Sequence, residues 1–260
     1  FSPVETLYYK LSYRGWLTSM IWADLADIKM ASIVSDNPLK RSRYHQYELY
    51  LSTEHYRKAE IFHPVRYTYR SIIDHMLQRT LLVEEMDIGD NDSYDILWLD
   101  WRNNSTQLFE KYKGKNGKYL PDSLTNILLS NTQKLPIAYK MPIAYKKSGD
   151  KIDYAQILDP LSLLYFLRTA DFILNSKNVK EIPIAVSDDI RLYRVEKLLP
   201  EVILLNGKAI PTIKLKIVTD EKKDNDFYVW LSNDNYKIPI RMAMDAPLGK
   251  LEIKLVKNKY

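Results

Sequence analysis

Four histidines, His45, His55, His63 and His75, are the side chains best suited to hold a metal or shuttle a proton near neutral pH. None pairs with another at the spacing of an H-E-x-x-H helix, so they read as ordinary core or surface histidines. Asp87, Asp90, Asp92 and Asp95 crowd one stretch. An EF-hand calcium loop needs a glycine at its sixth position and a glutamate at its twelfth, and neither is present. The stretch reads as a solvated acidic turn, and no metal ligand is expected. The chain has no cysteine, which removes thiolate nucleophiles, thiolate zinc sites and disulfides. It also lacks a G-x-S-x-G elbow, a P-loop and a dinucleotide-binding glycine pattern. Asp and Glu are numerous enough to pair as acid and base, but the sequence does not say which of them meet. The residues therefore lean away from an enzyme, with no cofactor expected.

The aromatic residues allow a different chemistry. Tyr and Trp alternating with aliphatic residues can line an incompletely filled β-barrel, where an apolar ligand is held by burial. Trp16, Trp22, Trp98, Trp101 and Trp230 are the candidates, with Trp22, Trp98 and Trp230 foremost as ligand-binding residues. The same side chains could simply pack the sheet. Arg168 is the other candidate. It is the only charge in a run that holds Leu163, Leu164, Tyr165, Phe166 and Leu167. If buried it needs a carboxylate or carbonyl partner, either as a fold-fixing ion pair or as a cation anchoring a ligand at a cavity mouth.

The elements that would carry these residues are mostly strands. Leu7, Tyr9, Leu11 and Tyr13 alternate with Lys10, Ser12 and Arg14, and period-two runs recur at 20–34, 44–52, 65–71, 77–85, 94–101 and 106–112. Asp36-Asn37-Pro38, Asp90-Asn91-Asp92 and Asn103-Asn104-Ser105 punctuate them as turns. Pro121-Asp122-Ser123 followed by Leu124, Ile127 and Leu128 predicts a short helix over about 122–130. Next come two copies of a six-residue echo, L-P-I-A-Y-K and M-P-I-A-Y-K over 135–146. Its prolines predict an extended, edge-like segment. Asp159-Pro160 then opens a helix, with Asp159 as its cap and Ser162 in its first turn. Leu163, Phe166, Leu167, Ala170 and Leu174 give it an apolar face, so one long packed helix is predicted over about 159–175. After Ile182 the strands return, and the last sixty residues form a meander. Ile213, Leu215 and Ile217, then Phe227, Val229 and Leu231, then Ile238, Ile240, Met242 and Met244, then Leu251, Ile253 and Leu255 each keep to one face.

Length and charge fit this picture. Two hundred and sixty residues suffice for a sizeable core, and 46% hydrophobic against 27% charged residues is an ordinary globular balance. Twenty tyrosines and twelve prolines bias the chain toward strands and turns. The net charge of +5 is scattered among acids, and its densest basic run, Lys40 to Arg43, follows a turn, so no nucleic acid is expected. No apolar run is long enough for a transmembrane helix. A first residue of Phe1 points to a processed or a trimmed chain, and a removed signal peptide would fit.

At two places the residues resemble a known family. The run D-P-L-S-L-L-Y-F-L-R from Asp159 to Arg168 is similar to the aspartate-capped helix of the bacterial exported family called domain of unknown function 3108. Phe227 to Asp234, followed by Ile238 to Arg241 and Pro247-Leu248-Gly249, resembles that family's closing strands. Glu5 to Tyr13 also fits, as do His63 to Arg66 with Ser71 and Asp74 behind them. The resemblance implies a signal-peptide-bearing protein of the periplasm or cell envelope of Gram-negative-type bacteria, without an assigned activity. It further implies a strand pattern similar to the open barrels of lipoprotein carriers. No catalytic residue is carried over.

The expectation is one mainly-β domain over 1–260, an antiparallel curved sheet or open β-barrel with that helix packed on it and an insertion or extended segment at 120–147. Its expected role is non-enzymatic binding of a lipid or other apolar or amphipathic ligand in the concave β face. The alternatives are a module docking another envelope protein and a cell-wall hydrolase.

Overall fold

The computed structural model describes residues 4–15, 23–37, 42–88, 93–101, 105–110, 139–142, 155–169, 179–186, 189–219, 226–246 and 249–259. Its strands are β1 (Val4–Gly15), β2 (Ala23–Asn37), β3 (Ser42–Ser52), β4 (Arg66–Asp74), β5 (Thr80–Asp87), β6 (Ser93–Asp100), β7 (Ser105–Glu110) and β8 (Tyr139–Pro142), then β9 (Val179–Val186), β10 (Asp189–Lys197), β11 (Glu201–Leu205), β12 (Lys208–Thr219), β13 (Phe227–Ser232), β14 (Pro239–Ala246) and β15 (Gly249–Lys259). Two helices are described, α1 (Arg57–Phe62) and α2 (Pro160–Thr169).

All the strands join one antiparallel sheet, in the order β8-β7-β6-β5-β4-β3-β2-β1-β15-β14-β13-β12-β10-β9, with β11 paired to β12. The first and last strands of the chain lie side by side at its middle, where Leu11 opposes Ile253. Each half then folds outward as a meander. Bulges between Tyr8 and Tyr9, Leu11 and Ser12, Ile72 and Ile73, and Trp230 and Leu231 add local twist and bend the sheet. Among the described residues the two edge strands, β8 and β9, do not pair with each other, so the sheet is an open, barrel-like one.

The segment before α2 crosses the gap. Ile157 accepts from Thr80 and donates to Gln78, while Leu158 donates to Pro183 and accepts from Ala185. This strap ties the start of β5 to β9 and hands the chain into the concave face as α2. Leu161, Ser162, Leu163, Leu164, Tyr165, Leu167 and Arg168 of α2 are all buried. The core is continuous from Leu7, Tyr9, Ile28 and Met30 through α2 to Ile184, Leu215, Val229 and Met242. A second small cluster of Ile72, Leu82 and Ile96, with Trp98 against it, lies on the opposite face of β4 to β6.

Most of the predicted strands stand, with ends moved by a few residues. The fifth begins at Thr80 rather than 77, because Asp74 Oδ1 accepts from the Gln78 and Arg79 amides and holds 74–79 as a turn with Leu77 at φ 56°. The long helix is corrected: α2 spans ten residues, Pro160–Thr169. Thr169, its last described residue, is exposed and its hydroxyl donates back to the Phe166 carbonyl. Residues 170–175 lie outside the described residues, as does the helix predicted over 122–130. Of the segment 120–147, the described part is β8, an edge strand among the described residues, and its Pro142 cannot donate to a further neighbour. Helix α1 was not anticipated. It buries no residue, so no apolar period announces it.

Candidate functional site

The sheet registers bring one set of strand ends together. Ile28 opposes Tyr9 and Leu51, Ile253 opposes Leu11 and Met242, Met244 opposes Phe227, and Phe227 opposes Ile217. At this end the concave face is not filled. A cavity of about 720 Å³ lies between the N-terminal half of α2 and the strands around it. That volume is within the usual range for small-molecule sites.

Its floor is apolar and buried: Ile28, Met30, Leu161, Leu163, Leu164, Ile184, Ile217 and Met242. Its rim is half-exposed, with Leu49, Tyr67, Val186, Tyr193, Phe227, Met244 and Ile253. Glu85 and Arg191 are the charged residues among those that line it. Tyr67 Oη donates to Glu85 Oε2 at 3.0 Å. Burial raises the pKa of the Glu85 carboxyl; the Tyr67 hydrogen bond opposes this, and the charges of Asp95 and Asp159 add to it. Arg191 Nε lies 3.6 Å from Asp189 Oδ2.

Asp159 is fully buried at the start of α2. Its Oδ1 accepts from the Leu161 and Ser162 amides at 3.0 and 3.1 Å, the capping role expected of it. Tyr69 Oη donates to the same oxygen at 3.2 Å. Oδ2 meets the hydroxyls of Ser71, Thr80 and Ser162 at 2.5, 2.8 and 2.5 Å. A buried carboxylate needs such donors in place of water. The cluster thereby nails α2 to β4 and β5 beneath the cavity, since Tyr69 also lines it.

Arg168 is at the other end of α2, buried, and does not line the cavity. Its guanidinium grips Glu5 of β1 with two bonds, Nη1 to Oε2 at 2.5 Å and Nη2 to Oε1 at 2.8 Å, and also donates to the Tyr236 carbonyl. This geometry is that of a structural ion pair. Trp22 lies outside the described residues. Trp98 and Trp230 are on the face of the sheet away from the cavity. Trp98 packs with Ile72, Leu82 and Ile96. Trp230 donates to Glu201 at 2.8 Å between the cations of Lys214 and Arg241.

Glu85 and Arg191 are not among the candidates that the sequence offers. The signal for Glu85 was present: Glu84 and Glu85 are adjacent in one strand, so alternation must turn one of them inward. Glu84 pairs with Arg70 at 2.8 Å on the outer face, leaving Glu85 on the parity of Val83. Among the described residues there is no group of three or more His, Asp or Glu placed to hold a metal ion. No described helix is long and apolar enough to cross a membrane.

Residues 84–256 match the family described as "Protein of unknown function (DUF3108)". Among curated proteins none matches the chain in sequence. Among solved structures, the fold is similar to that of a beta-barrel-like protein of domain of unknown function DUF1849 from Brucella abortus. That likeness has a TM-score of 0.52 at 11% identity and covers 98% of this chain and 97% of that one. At that identity the likeness concerns the fold alone.

Proposed function

The chain belongs to the DUF3108 family of proteins of unknown function, and from that premise we propose that it is a non-enzymatic cell-envelope protein that binds an apolar or amphipathic ligand in its concave face. The observation that carries this reading is the 720 Å³ cavity with a buried apolar floor and a half-exposed rim. Each buried methylene of a ligand brings about 0.8 kcal/mol, so a twelve-carbon chain brings on the order of 10 kcal/mol before the costs of association. The periplasmic location rests on the family resemblance and is tested by fractionating cells that express the full-length gene.

Binding is tested with the neutral fluorescent probe N-phenyl-1-naphthylamine. The native chain should bind it with saturation, and Leu49→Trp and Met244→Trp, which fill the rim, should each weaken it at least about tenfold. A native chain that binds no probe, or filled variants that bind as well as the native chain, would contradict the reading.

A second reading, docking of another envelope protein, is favoured by β11. This strand hangs on β12 outside the main path, with Val202 and Leu204 on one face 64% and 74% exposed.

A further inference from the structure

The buried glutamates among the described residues share one feature. Glu5 is held by Arg168, Glu84 by Arg70, and Glu252 by Arg241 and Lys254. Each of these three carboxylates is met by a cationic side chain, which offsets the cost of desolvating it. Glu85 departs from this pattern. It is half-buried on the cavity wall, its hydrogen bond comes from the neutral Tyr67 hydroxyl, and the charges acting most strongly on it are two further acids, Asp95 and Asp159. Asp159 is itself satisfied by its hydroxyl and amide donors. Tyr69, opposite Glu85 in the register, donates to Asp159. Arg191, the other charged lining residue, has Asp189 beside it.

We infer that Glu85 reads the polar end of the ligand, and that the ligand is an amphiphile ending in an ammonium group. The inference rests on the cavity-binding reading and adds the class of head group. An ammonium placed on the carboxylate would supply the positive charge that the fold gives to Glu5, Glu84 and Glu252. The apolar floor would take the chain. A carboxylate head would face repulsion from Glu85, and a hydroxyl head would gain a hydrogen bond without the charge. The ammonium could belong to a simple alkylamine or to an aminolipid.

The test is displacement of N-phenyl-1-naphthylamine by dodecylammonium, dodecanol, dodecanoate and lysophosphatidylethanolamine. Dodecylammonium should displace the probe at least about tenfold more tightly than dodecanol, and dodecanoate should be the weakest. Glu85→Gln should abolish the preference for the amine while leaving dodecanol within about twofold, which also shows that the variant's cavity is intact. On the native chain, dodecyltrimethylammonium, whose charge is fixed, should lose affinity as the pH falls and Glu85 takes up its proton. Lysophosphatidylethanolamine tighter than dodecylammonium would assign an aminolipid, and looser a simple alkylamine. Dodecanol binding as well as the amine, or a preference that survives Glu85→Gln, would overturn the inference and leave the cavity reading standing. Failure of all four to displace a bound probe would overturn both.

Discussion

Glu84 and Glu85 stand next to each other on β5, and alternation sends them to opposite faces with opposite fates. Glu84 meets Arg70 outside; Glu85 faces the cavity with its pKa raised by burial. The unfolded chain holds its proton less tightly than the folded chain does. Above both pKa values the folded state therefore carries a charged carboxylate at a disfavoured site, and this penalty is relieved as the pH falls through the folded value toward the ordinary one. Glu85→Gln should accordingly unfold at higher urea than the native chain at pH 8, with the difference shrinking to nothing near pH 4. A variant less stable than the native chain at pH 8 would contradict the account of this residue. The same parity argument places the tryptophans. Trp230 sits between Val229 and Leu231, which face the core, so its neighbours already assigned it to the outer face with Lys214 and Arg241. Aromatic content suggested a lined cavity, but residue type does not choose a face; position in the strand does.

At the scale of elements, the fold depends on how α2 is held. Asp159 fastens its first turn to β4 and β5, and Arg168 fastens its last turn to β1. Between them Tyr165 stacks on Tyr47 with ring centres 3.8 Å apart and planes 5° from parallel. Arg168→Met should cost about 3–5 kcal/mol, because it leaves Glu5 buried without its base. The double variant Arg168→Met with Glu5→Leu should recover most of that loss, as measured by urea unfolding. A double variant as unstable as the single one would mean that Arg168 contributes by something other than this pair. The strands and the capped start of α2 were legible because alternation and capping are local signals. The apolar period in the sequence runs on to Leu174, beyond Thr169, the last described residue of α2. The partner of Arg168 was not legible, because Glu5 is 163 residues away and it is the pairing of β1 with β2 and β15 that places the N-terminal strand in the middle of the sheet. Close packing at this seam also fixes Gly249, where a Cβ would collide with the Arg14 carbonyl oxygen.

At the scale of the whole molecule, the described strands form a curved, open sheet, and the strap at 157–158 links β5 to β9 across its gap. An open barrel with a helix inside can leave unfilled volume at one end without exposing a hydrophobic outer surface there. The dry faces of the closing meander and of the strand at 65–71 were read from the sequence, and they supply Ile217, Phe227, Met242, Met244, Ile253, Tyr67 and Tyr69 to the cavity. What the sequence could not disclose is that these faces leave a hollow, because cavity volume depends on how far α2 enters the barrel. The proposed function requires this hollow to be occupied in the cell. The most direct measurement is native mass spectrometry of the protein purified gently from its own cells, followed by solvent extraction. The expected result is a stoichiometric bound amphiphile that solvent removes and that Leu49→Trp and Met244→Trp fail to carry. A bare mass, unchanged after incubation with lipids from the same cells, would contradict it.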